Sequence, residues 1–94
     1  MIKSFKNKDT KLIFDGKYSK NFPADIQLRT IRKLDFLDRA ANINDLRKPP
    51  SNHLEQLSGD RKGQWSIRVN DKYRICFEWI DNNAENVELV DYHK

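Results

Sequence analysis

Two arginines, a glycine-bounded basic turn and the final four residues are the places where residue type and spacing in this chain can do chemistry. The run Trp65-Ser-Ile-Arg-Val69 alternates apolar and polar positions. After Asn70-Asp71-Lys72 the alternation resumes through Tyr73-Arg-Ile-Cys-Phe-Glu-Trp79. This pattern reads as two antiparallel strands joined by a three-residue loop. Its register sets Val69 opposite Tyr73 and gathers the large apolar side chains on one face, which brings Arg68 directly across from Arg74 on the other. Opposed like charges in a ladder cost up to about 1 kcal/mol. The pair therefore calls either for an internal counter-charge, with Glu78 and Asp91 as candidates, or for an anion bound from outside.

Just upstream, Gly59-Asp-Arg-Lys-Gly63 holds Arg61 and Lys62 in a turn where backbone N–H groups and cations can approach a phosphodiester together. The same composition also suits a solvated hairpin end. At the other end of the segment, Asp91-Tyr92-His93-Lys94 groups a carboxylate, a phenol, an imidazole and an ammonium. Strand alternation keeps Asp91 and His93 on one side and Tyr92 on the other, so an acid/base pair can form beside the arginines; a frayed terminus is the alternative. Histidine is the side chain here whose ordinary pKa suits proton transfer near neutrality.

RNA is the substrate that such a set can process. Its 2′-hydroxyl is a built-in nucleophile, so cleavage needs a base for that hydroxyl, an acid for the departing 5′-oxygen and cations for the crowded phosphate. Arginine meets the third need with a fixed fork of donors and a permanent charge. No metal or other cofactor is required by this chemistry. Cys76 is set aside as a nucleophile, because it sits in a strand far in sequence from both histidines and a lone cysteine is usually buried filler.

The elements that must position these residues follow from the rest of the chain. Its 94 residues predict one domain over positions 1–94, and a net charge of +4 favours polyanionic partners without demanding them. Ten aromatics (Phe 5, Tyr 3, Trp 2) supply a core despite a mean hydropathy of -0.90. No apolar run approaches a membrane span or a signal peptide, so the expectation is a cytoplasmic protein without membrane contact. One cysteine and two scattered histidines form neither a disulfide framework nor a zinc site. Met1 to Lys6 reads as an opening strand, and a brief helix follows with Asp9 or Thr10 as its cap and Gly16 as its stop. Residues 17–22 read as a loop or mobile connection. Ala24 to Ala41 is a helix, with Ile26, Ile31, Leu34, Leu37, Ala40 and Ala41 at helical spacing and Arg29, Arg32, Lys33 and Arg39 on much of the remaining surface. That basic surface suits either plain solvation or RNA contact. Asp81-Asn-Asn-Ala84 makes a second reversal into a last strand from Asn86 to Tyr92. The fold class is α+β: an N-terminal strand, two helices, then an antiparallel meander with the helices on one face.

Taken in order, Leu57-Ser-Gly-Asp-Arg-Lys-Gly63, Trp65-Ser-Ile-Arg-Val69, Tyr73-Arg-Ile75 and Val90-Asp-Tyr-His93 resemble the HigB/GraT type of toxin in the RelE superfamily of bacterial type II toxin–antitoxin modules. The likeness extends to the Ile2-Lys-Ser-Phe5 start and to Leu46-Arg-Lys-Pro-Pro50. It implies a RelE-like fold and a ribosome-dependent endoribonuclease that cuts messenger RNA in the small-subunit decoding site. It also implies neutralisation by a HigA-like helix-turn-helix antitoxin, with DNA contacted only through that antitoxin. By matching positions, Arg74 is similar to the arginine that steadies the scissile phosphate, and Asp91, Tyr92 and His93 to the C-terminal catalytic group. Arg61, Lys62, Arg68 and Lys94 become RNA- or ribosome-facing cations. Some relatives carry a His and a Lys ahead of the Gly-Asp-Arg turn, where this chain has Glu55 and Ser58. The general base is then Glu55, or His93 acting with Tyr92, with His53 a further candidate. A non-catalytic RNA- or ribosome-binding module using the same arginines is the competing reading.

Overall fold

The computed structural model describes residues 1–91. Helix α1 (Lys8–Phe14) is capped by Asn7, whose Oδ1 accepts from Thr10 N at 3.0 Å, so the cap lies upstream of the Asp9 or Thr10 that spacing suggests. Gly16 ends it at φ 81, while Gly16 N donates to Ile13 O and Lys17 N to Leu12 O, the paired bonds of a glycine-terminated helix. Helix α2 (Ala24–Arg39) stops two residues short of the predicted end. Its buried positions Ile26, Thr30, Leu34 and Leu37 form one stripe. The connection between the helices is pinned. Buried Ser19 donates its N–H to Gln27 Oε1, Gln27 Nε2 returns bonds to Ser19 O and Phe22 O, and the Phe22 ring meets Tyr73 edge-on at 5.8 Å.

Two 3-10 turns (Ile43–Arg47 and Pro50–Asn52) lead into a four-stranded antiparallel sheet in sequence order: β1 (Glu55–Gln56), β2 (Gln64–Arg68), β3 (Tyr73–Ile80) and β4 (Asn83–Asp91). Strand β1 has no counterpart in the sequence reading, since two residues are too few for alternation to show. The β2–β3 hairpin has the expected loop: Asn70 Oδ1 accepts from Lys72 N and Tyr73 N, and Val69 N donates to Tyr73 O. The turn at Asp81 and Asn82 places both residues at positive φ, 51 and 62, which matches the right-handed twist of a tight hairpin.

The opening segment is not a regular strand. It runs parallel to β4 through two isolated bridges, Ile2 with Ala84 and Phe5 with Val87. The cause is an extra residue in β4, where the register shifts between Cys76 and Glu78 and Asn86 adopts φ 51. Ser4 Oγ spans the break, accepting from Asn86 N and donating to Glu85 Oε1, both at 2.8 Å. Both helices lie on one face of the sheet, where Ile13, Ile26, Leu34 and Leu37 meet Ile67, Ile75, Phe77, Val87 and Leu89 in one buried cluster. No helix among the described residues is long and apolar enough to cross a membrane.

Candidate active site

The sheet face turned away from the helices carries the candidate site. Glu55 pairs with Ser66, Ser66 with Cys76 and Cys76 with Glu88, so one row of side chains crosses all four strands. Ser66 and Cys76 are fully buried and Glu88 is 9% exposed, although no helix covers them. Charged side chains from the same face close over the row.

Arg74 stands directly across from Arg68, as the hairpin register requires. Its guanidinium reaches back over β2: Nε donates to Ser66 Oγ at 2.8 Å and a terminal nitrogen donates to the His53 carbonyl at 2.6 Å. These acceptors are neutral, so they aim the fork without cancelling its charge. His53 offers that carbonyl from a left-handed position, φ 44, at the end of the second 3-10 turn. Arg68 is answered by Asp71 from the hairpin loop. Glu78 accepts from Asn86 instead, so neither Glu78 nor Asp91 serves as the counter-charge of Arg68 that the sequence suggests.

Arg61 lies at the end of a 3-10 turn (Gly59–Arg61) and donates to Gln64 Oε1 at 3.0 Å and to Glu88 Oε1 at 2.8 Å. Lys6 approaches the same Glu88 oxygen at 3.7 Å, so one largely buried carboxylate gathers two cations at the far side of the row. Lys62 follows the turn and is exposed. Gly63, at φ 92, lets the chain re-enter β2.

The register has a further consequence for Asp91. It pairs with Tyr73, whereas Arg74 pairs with Val90, so Asp91 and Arg74 leave the sheet on alternate faces. The Asp91 carboxylate stands 3.7 Å from Lys72 Nζ. This corrects the placement of Asp91 beside the arginine pair: alternation in β4 had to be counted against β3, not within β4 alone. Tyr92, His93 and Lys94 lie outside the described residues. Burial is the main cause that pushes the Cys76 thiol above its ordinary pKa, with Glu88 adding to the effect against Arg61, Arg74 and Lys6, so the residue stays a protonated filler.

The structure therefore brings Arg74, Arg68, Arg61 and Glu55 onto one face. Sequence reasoning missed the groups that aim them. Glu88 had a signal, since it alternates with core-facing Val87 and Leu89. Ser66 had one in the same hairpin register that pairs the arginines. The His53 carbonyl had none.

Comparison with known proteins agrees with this architecture. A family model described as "RelE-like toxin of type II toxin-antitoxin system HigB" matches residues 3–93. Toxin HigB-1 of Vibrio cholerae is 43% identical over 95 residues, covering 100% of this chain and 99% of its own. Endoribonuclease HigB of Proteus vulgaris is 39% identical over 93 residues, covering 99% of this chain and 100% of its own. Among solved structures, the YoeB-YefM complex from Staphylococcus aureus contains a chain with the same fold, at TM-score 0.60 and 19% identity, with 100% of this chain and 99% of that one covered. With a RelE-like sheet presenting an anchored arginine, and with sequence likeness spanning nearly every residue, this chain belongs to the HigB-like family of RelE-like type II toxins.

Proposed function

We propose that this protein is an endoribonuclease that cuts messenger RNA on the ribosome, with the RNA's own 2′-hydroxyl as nucleophile and no metal ion. The observation that carries this reading is Arg74, held by Ser66 Oγ and the His53 carbonyl on an open face that also presents Arg61 and Arg68. The Proteus vulgaris relative is named an endoribonuclease, which supports the same chemistry here. In the reaction, Arg74 binds the scissile phosphate and gains strength as charge builds on its oxygens. A base takes the proton of the 2′-hydroxyl, the oxygen attacks phosphorus, and an acid protonates the leaving 5′-oxygen, which yields a cyclic phosphate and a free 5′-hydroxyl.

His93 and Glu55 share the proton transfers, and Tyr92 stacks on or orients the nucleotide. Glu55 lies one strand from the Arg74 anchor, paired with Ser66. Asp91, on the alternate face, acts as a positioning residue at the strand end. Arg61, Lys62, Arg68 and Lys94 hold RNA backbone. The site is a shallow face and cannot bend RNA into in-line geometry unaided; the decoding site of the small ribosomal subunit supplies that alignment, which is worth several kcal/mol. A HigA-like helix-turn-helix antitoxin neutralises the protein in the cytoplasm and carries any DNA contact.

The test is to add the purified protein to ribosomes stalled on a defined message and to map new 5′ ends. The expected result is cleavage within the codon in the decoding site, and a loss of about 100- to 1,000-fold in rate for Arg74→Ala. Intact message with blocked translation favours the non-catalytic binding module instead, and intact message with normal translation rejects both.

A further inference from the structure

A second concentration of positive charge lies where α2 passes the end of β2. Arg29, Arg32 and Lys33 fall at i, i+3 and i+4 on one side of α2. With Ser51 and Arg68 they line a cavity of about 220 Å³. The lining holds four cations and one hydroxyl, and no carboxylate. Lys33 is held in place: its ammonium donates to Asn52 Oδ1, and the fully buried Asn52 is oriented by donating its own amide N–H to Leu46 O and Lys48 O, each at 3.3 Å. Burial, then repulsion from Arg29 and Arg68, lowers the Lys33 pKa below its ordinary value.

Some cations of the protein have carboxylate partners: Lys6 and Arg61 have Glu88, Lys11 has Asp15, Arg39 has Asp35, Arg68 has Asp71 and Lys72 has Asp91. Among the described residues, Arg29, Arg32 and Lys33 have none within 4 Å. Like charges gathered in a concave site repel one another, and that cost is recovered when an anion enters. Arg68 connects the two regions, since it lines the cavity and also stands across the ladder from Arg74.

We infer that this cavity is a second phosphate subsite, in which Arg29, Arg32 and Lys33 take a phosphodiester of RNA away from the bond that is cut. The identity of the ligand as RNA rests on the nuclease reading; the subsite itself rests on the cavity and the three of its cations that have no carboxylate partner. The phosphodiester belongs either to the message leaving Arg74 past Arg68 or to ribosomal RNA alongside it, and the test separates the two.

Binding is measured by fluorescence anisotropy, against a short RNA fully 2′-O-methylated so that it cannot be cut, and separately against labelled small ribosomal subunits free of message. The variant Arg29→Gln/Arg32→Gln changes two exposed side chains and should keep the wild-type melting temperature. A control, Lys8→Gln/Lys11→Gln, removes the same charge from α1 outside the cavity. The expected result is binding roughly tenfold weaker for the α2 pair, with a salt dependence shallower by about 1.4 log units per log unit of salt, and little change for the control. Loss on the short RNA assigns the subsite to the message, and loss on subunits alone assigns it to ribosomal RNA. Equal loss in the control, no loss on either probe, or no wild-type binding to either overturns the inference. Because the short RNA cannot be cleaved and the subunits carry no message, failure of the nuclease reading shows in the 5′-end mapping and leaves this result unaffected.

Discussion

The two faces of the sheet are both buried at their centres, and they are buried by different means. On the helix side, Ile67, Ile75, Phe77 and Val87 are fully excluded from water by α1 and α2. On the other side, Ser66, Cys76 and Glu88 are covered by neighbouring side chains, with Arg74 bonded to Ser66 and Arg61 and Lys6 drawn to Glu88. The first arrangement is non-directional, and its free energy scales with the apolar area removed from water. The second is directional and contributes less to stability, but it sets where guanidinium groups point. The contrast teaches a division of labour: one face keeps the protein folded, and the other keeps its charges aimed.

Substitutions on each face sharpen that division. Phe77→Ala should cost about 3–5 kcal/mol, most of the stability of a small domain, visible as loss of the cooperative thermal transition. A small shift in melting temperature would show that the helix-covered face is not the main source of stability. Glu88→Gln should cost about 1–2 kcal/mol by weakening the bond to Arg61 and the attraction to Lys6, and should weaken RNA binding more than it slows cleavage of bound message. Ser66→Ala should cost about 1 kcal/mol or less in stability and slow cleavage roughly tenfold, because Arg74 keeps its charge and loses the acceptor that aims its Nε. Its effect should fall on kcat with KM nearly unchanged; Ser66→Thr should restore part of the rate, which a purely structural role would not predict.

The smallest effect concerns pH. Lys33 has a folded-state pKa below its ordinary 10.5, so its charged form is disfavoured by folding. The penalty is present at neutral pH and is relieved as pH rises through the lowered folded value towards 10.5. The stability of the wild type relative to Lys33→Met should therefore increase over that alkaline window, as followed by denaturant unfolding at several pH values. A flat difference would show that Lys33 carries no such penalty.

How much could be read beforehand depended on distance along the chain. The Arg68–Arg74 pairing was legible, because a three-residue loop and strict alternation leave one register for a local hairpin. The stripe of α2 was legible for a similar reason: its period is written in consecutive residues. The breaks in β4 were not, because Asn86 in a left-handed conformation depends on Ser4, 82 residues away, to satisfy its N–H. The alternate face of Asp91 follows from that same need to count one strand against another.

Residue order alone thus settled the fold class, the strands of the central hairpin and the kinds of side chain available for phosphate chemistry, since these arise from local periodicity and from functional groups. Tertiary contact decided which way the charges face. Ser66 and the His53 carbonyl orient Arg74, Glu88 draws Arg61 across the sheet, and Asn52 directs Lys33 into the α2 cavity. The Ser66 bond lies within the local hairpin, whereas the others are directional bonds between residues brought together only when the chain closes, and no local pattern encodes such a meeting.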